Sequence, residues 1–324
     1  MGRSRRASFF LLLLFLWACD RRVEEAPPEA LPDGPGVPRP PPPGSAFAGR
    51  LAVTFDDLPW VGPLPPGVGR AGATSRLLAA LAEYSAPAAG FVDCARVERG
   101  APTLRLWLDA GHVLGNHTED HVDLDRVDPS VWIASDRRCD AFLREVTGDT
   151  VIWFRYPYLH RGRTPERYRA ARAALEEMRA PIAPVTIVTL DWVLAGPYAR
   201  ALRAGDAGRA AAIGEALVEH VARTAAHYQR VARERVGRDV AHILLLHANA
   251  LAADYVDEVL GRLREEGFHF VTLDDALEDP VYGRPDDYVG PEGLSWLYRF
   301  EPATPELAAW DREEEERLRA LFPR

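Results

Sequence analysis

Two adjacent aspartates, Asp56-Asp57, close the apolar run Leu51–Phe55, and two histidines four residues apart, His117 and His121, follow further along the chain. Three more short motifs come after them in order: Arg155-Tyr156-Pro157-Tyr158, Asp191-Trp192 and Leu244-Leu245-Leu246-His247. Brought together, such groups could hydrolyse an amide with the help of a divalent cation. A carboxylate and two imidazoles hold the ion and leave a position open for water. A second carboxylate takes a proton from that water, and a distant imidazole returns one to the departing amine. No single motif carries this reading. An acidic pair often caps a turn, H-x-x-x-H is often just one face of a helix, a tryptophan after a strand is usually core, and an arginine is usually at the surface. The order and combination of all five favour a metal site.

Something must deliver these residues to one place. Leu51–Phe55, Ala89–Asp93, Val151–Arg155, Val185–Leu190, His242–Leu246 and Phe268–Leu273 read as buried strands, with another strand or turn beginning at His112–Asn116. Helices are expected near Ala73–Tyr84, Thr103–Ala110, Ala207–Val236 and Asp254–Glu266, and others open at Asp128-Pro129 and Thr164-Pro165, each an N-cap followed by proline. This alternation implies a mainly parallel α/β sheet, and about seven strands fit a closed or nearly closed barrel. Four of the five motifs then fall where a strand ends, on the rim where barrel chemistry collects. His117 and His121 are expected on one face of a helical turn.

The termini have a different character. Arg3, Arg5 and Arg6 precede the apolar run Phe9–Ala18, an export signal over residues 1–18. Leu16-Trp17-Ala18-Cys19 resembles a lipoprotein cleavage site that would lipidate Cys19, although the bulk of Trp17 leaves plain secretion as an alternative. Residues 19–46, dense in proline, read as an extended tether. Residues 281–324 form an extension expected to pack on a barrel spanning 47–280, and the acidic run Glu313–Glu316 reads as a solvated face. Cys94 and Cys139 are taken as two buried thiols, although export would permit a disulfide. All 39 basic residues are arginine, a mark of GC-rich coding, and the net charge of −9 argues against nucleic acid as a partner. No protein partner is implied.

The five motifs resemble those of the polysaccharide deacetylase family, the nodulation-type deacetylase domain of carbohydrate esterase family 4. The resemblance covers about residues 49–280 and implies a distorted (β/α) barrel that hydrolyses acetamido sugars. It implies that Asp57, His117 and His121 bind the metal, with zinc the expected ion and cobalt, nickel or manganese as alternatives. It assigns Asp56 as base, His247 as acid, Arg155 as the partner of Asp56 and Asp191 as the partner of His247. The backbone N–H of Tyr158 would meet the oxyanion, with Pro157 holding that loop and Trp192 lining the acetyl pocket. The expected function is removal of N-acetyl groups from an envelope or extracellular glycan by an exported, membrane-anchored enzyme. The alternatives are an O-acetyl ester or small-amide hydrolase, or a non-catalytic glycan-binding lipoprotein. Three departures stand out: Leu58 and Leu159 replace glycines usual after the acidic pair and after Pro-Tyr, and a long helix precedes His247. His112, His160, His220, His227, His242 and His269 are given no role.

Overall fold

The computed structural model describes residues 49–148, 152–286, 288–300 and 305–323. The expected export signal, Cys19 and the tether lie outside them. Nine helices and six strands are described: β1 (Arg50–Leu58), α1 (Arg70–Glu83), β2 (Ala88–Val92), α2 (Pro102–Asp109), β3 (Val113–Asn116), α3 (Pro129–Thr147), α4 (Pro165–Met178), β4 (Ile187–Val188), α5 (Asp191–Ala204), α6 (Ala207–Val236), β5 (His242–His247), α7 (Ala250–Glu265), β6 (His269–Val271), α8 (Leu273–Leu277) and α9 (Pro305–Leu321).

The strands form one parallel sheet in the order β3-β2-β1-β5-β4, with β6 beside the start of β1. β1 is central and buried from Leu51 onward, which suits an apolar strand covered on both faces. The β3 edge continues through single bridges from Asn116 to Phe154 and from Phe154 to Ile182. The chain then crosses from Ala183, which donates to Phe154 O, to Thr186, which donates to Ile243 O on the opposite side. The architecture is therefore parallel α/β, curled towards a barrel without a regular strand pair closing it among the described residues. Of the expected strand at 151–155, the described residues 152–155 keep one bridge residue, Phe154. Its neighbour carries Pro181 and Pro184, which have no N–H to donate to a ladder.

Helix starts follow the local chemistry. Asp128 accepts from Ser130 N ahead of α3 and Thr164 from Arg167 N ahead of α4, each followed by proline in the first turn. α6 spans 207–236 and buries Leu217, Val221, Ala225 and Tyr228. Helix α5 is not apparent in the sequence, because Gly196-Pro197 reads as a break; the helix runs through Pro197.

Two expectations are corrected. Cys94 and Cys139 are joined in a disulfide, their Cα atoms 5.5 Å apart, within ordinary bridging range. Cys94 opens a turn after β2 and Cys139 lies on α3, so only tertiary packing brings them together. Glu314 is not solvated: it is buried, 2.9 Å from His220 Nδ1, and also pairs with Arg317.

Candidate active site

Asp56 and Asp57 stand at the end of β1, and Asp56 is in register with His247 at the end of β5. Side-by-side strand ends thus set a carboxylate opposite an imidazole. Asp57 takes a left-handed φ of 63°, so its side chain departs from the strand's alternation. Leu58 points into the core and fills the space over Gly90, where a Cβ would lie 2.3 Å from a Leu58 methyl.

His117 and His121 are not on a helical turn. The chain after β3 is an irregular loop in which Asn116 Oδ1 accepts from Thr118 N and Thr118 Oγ1 from Val122 N. Left-handed φ values at Thr118 (69°) and His121 (53°) fold it back until the two rings are 4.9 Å apart. Of the eight left-handed non-glycine residues among those described, four lie in the motifs, Asp57, Thr118, His121 and Tyr158, and a fifth, Leu159, directly follows one. Such backbone costs on the order of 1–3 kcal/mol per residue, a concentration typical of functional sites.

Asp57 Oδ1 lies 3.3 Å from His121 Nε2 and 3.8 Å from His117 Nε2. It is buried and has no hydrogen-bond partner among the described residues. His117 Nδ1 donates to the carbonyl of Arg155 at 2.9 Å, which leaves the Nε2 lone pair for a ligand. Burial, and then the neighbouring His121, push the His117 pKa down to about 3; burial also lowers His121 against the pull of Asp57 and Asp56. Two neutral imidazoles beside an orphaned carboxylate oxygen fit a divalent cation.

Asp56 is buried and receives Arg155 Nη1 at 3.1 Å. Arg155 is no surface residue: it is fully buried, donates also to Thr54 Oγ1 and Ala183 O, and lies over the Phe91 ring. Burial raises the pKa of Asp56, opposed by Arg155 and then His247. The result is a carboxylate more basic than usual yet held in a fixed orientation.

Across the cavity, buried Asp191 at the start of α5 grips His247 twice, at 2.7 Å from Nδ1 and 2.9 Å from the backbone N. Burial opposes charge on His247. The carboxylate of Asp191, with Asp57 and Asp56 beyond it, outweighs burial and raises the pKa to about 9. Behind Asp191, the Leu190 N–H donates to His220 Nε2, and His220 Nδ1 meets Glu314 of α9.

The remaining candidates divide. Tyr158 is exposed, its ring 4.5 Å from that of His121. In its turn the N–H groups of Leu159 and His160 bond to Tyr156 O and Pro157 O, a pattern that does not use the N–H of Tyr158. Trp192 is 45% exposed and lines the cavity rather than the core. Pro157 is buried, does not line the cavity, and opens the short turn Pro157–Leu159 that carries Tyr158. The cavity measures about 690 Å³ and is walled on one side by Gly293, packed against the Tyr158 carbonyl.

Asn249 was not singled out by the sequence. It lines the cavity, caps α7 through Oδ1, and its Nδ2 is buried with no partner among the described residues. Its position two residues after His247 is the only signal that could have found it.

Residues 46–177 match the sequence model of the polysaccharide deacetylase family. Among solved structures, the fold is similar to a CE4 family pseudoenzyme from Bacillus anthracis, with 16% identity, 71% of this chain and 65% of that one covered, and a TM-score of 0.51. A mutant CE4 family pseudoenzyme with restored enzymatic activity is similar at 17% identity, covering 71% and 67%, with a TM-score of 0.50. The peptidoglycan deacetylase PdaC from Bacillus subtilis aligns at 22% identity over 71% and 90%, with a TM-score of 0.47. At 16–17% identity the likeness to the two pseudoenzyme structures concerns the fold alone, a parallel α/β architecture. Over residues 46–177 the chain is similar to the polysaccharide deacetylase model, a stretch that includes Asp56, Asp57, His117, His121 and Arg155 and ends before Asp191 and His247.

Proposed function

We propose that the protein is a metal-dependent hydrolase that removes N-acetyl groups from an acetamido-sugar polymer of the envelope or the extracellular space. The observation that carries this reading is the pairing, across one cavity, of a cation-ready Asp57/His117/His121 set with an Asp56 base and a His247 acid held by Asp191. Asp57, His117 and His121 would hold the ion, zinc being expected for an Asp-His-His set. When bound, it would supply Lewis acidity towards a carbonyl and lower the pKa of a water. Asp56, kept ionised by Arg155, accepts the proton of the attacking water. The backbone N–H of Tyr158 donates to the developing oxyanion. His247, charged through Asp191, gives its proton to the departing amine.

One observation favours the second reading, hydrolysis of a small amide. The Gly293 segment walls the cavity beside Tyr158, and Leu159 stands where a glycine would leave more room. The experiment is acetate release from chitooligosaccharides, poly-N-acetylglucosamine, peptidoglycan and acetylxylan, with and without chelator. Chelator-sensitive release from the amides supports the deacetylase, ester-only release supports an esterase, and silence on every substrate overturns the glycan deacetylase.

The same proposal places the protein outside the cytoplasm, anchored through a lipid on Cys19. The Cys94–Cys139 disulfide supports an oxidising compartment. Cys19→Ser is expected to release the protein from membranes, and unchanged membrane association would remove the anchor.

A further inference from the structure

The loop that carries His121 continues into Asp123 and Asp125, and the turn that carries Tyr158 continues into His160. We propose that Asp123, Asp125 and His160 form a second divalent-cation site that shares no ligand with the first. Their ligand atoms all lie within 4.8 Å of one another, as do those of Asp57, His117 and His121. His160 Nδ1 is 2.9 Å from Asp123 Oδ1 and 3.9 Å from Asp125 Oδ2.

The buried carboxylate of Asp125 carries the argument. Its side chain is 0% exposed. Oδ1 accepts from Arg163 N at 2.6 Å, which fixes the carboxylate plane, and Asp123 is tied to the same turn by accepting from Asp125 N. Oδ2, on the His160 side, has no hydrogen-bond partner among the described residues. An unsatisfied buried acceptor is costly, and more so when charged, so its retention calls for a ligand. The nearby arginines do not supply one. Arg163 Nε is 3.8 Å from Oδ2, outside hydrogen-bond range, and Arg126 approaches only Asp123. Their side chains are 51% and 82% exposed, so solvent screens both.

Two carboxylates and one imidazole, without sulfur, suit a first-row divalent ion such as zinc or manganese, with water completing the shell. The partial exposure of His160 gives the ion a path from the cavity that this histidine also lines. A cation here clamps the loop bearing His121 to the turn bearing Tyr158. It thereby sets the distance between the first metal's ligand and the oxyanion donor.

The test is metal stoichiometry, which does not depend on catalysis. Chelator-stripped full chain is dialysed against micromolar zinc, and bound metal is counted alongside circular dichroism. Wild type is expected to hold two equivalents, His117→Ala/His121→Ala one, and Asp125→Asn/His160→Gln one. A wild-type count of one, or none in His117→Ala/His121→Ala, overturns the proposal. If Asp125→Asn/His160→Gln misfolds, the count in His117→Ala/His121→Ala still decides. Two equivalents without acetate release would leave this site standing and remove the deacetylase reading, whereas one equivalent with acetate release would do the reverse.

Discussion

His117 and His247 line the same cavity, yet one imidazole is pushed down to about 3 and the other up to about 9. Both are desolvated, so burial alone cannot separate them. The difference lies in what each Nδ1 meets: a neutral carbonyl of Arg155 for His117, and the carboxylate of Asp191 for His247. The first arrangement yields a neutral ring with a lone pair to offer, and the second a charged ring with a proton to give. One side-chain type serves opposite ends of a reaction because the partner behind each ring fixes its protonation state.

The sharpest way to break this contrast is to remove the neutral ring. His117→Ala should abolish metal retention and lower turnover by at least ~10³-fold, the equivalent of several kcal/mol of lost Lewis-acid stabilisation. Metal analysis and acetate release check both outcomes. Asp56→Asn should cost a comparable ~10³-fold in kcat while the metal stays bound. Equal metal loss in the two variants would mean that the aspartate roles are exchanged.

Asp191→Asn attacks the other pole. His247 must be protonated to act as acid, so wild-type activity should fall as pH rises through about 9. Without the carboxylate that raises it, His247 loses its proton earlier. The alkaline limb should then move to lower pH by more than about one unit, with kcat reduced ~10²-fold. An unmoved limb in a pH–rate profile would detach His247 from the acid role. Trp192→Ala should have the smallest effect, raising KM severalfold with kcat nearly unchanged, because its exposed ring walls the cavity and supplies neither a ligand nor a proton.

The two poles also differ in how far the sequence exposes them. The metal side is read from compact motifs. Asp56-Asp57 ends an apolar strand, and His117 and His121 lie four apart, although the loop achieves by left-handed backbone what a helical turn was expected to do. The acid side is harder to read. His247 follows an evident strand, but Asp191 starts a helix concealed by Gly196-Pro197, and its support runs through Leu190, His220 and Glu314 across three segments. Glu314 seemed part of a solvated acidic run because its burial depends on α9 docking, which local periodicity cannot show. The Cys94–Cys139 pairing and the orphan amide of Asn249 escaped for the same reason: each depends on contacts between segments distant in the chain. The β-α alternation, the caps at Asp128 and Thr164 and the extent of α6 were legible because they are local.

The residue after the acidic pair carries a final consequence. Leu58 occupies the volume that a side chain at position 90 would need, so the two positions can change only in concert. A small residue at position 58 would leave room for a side chain at position 90, whereas Leu58 favours glycine there. Changing either residue alone would collide with the strand beside it or hollow it out, and the damage would surface at Asp57, one bond away from chemistry that neither residue performs.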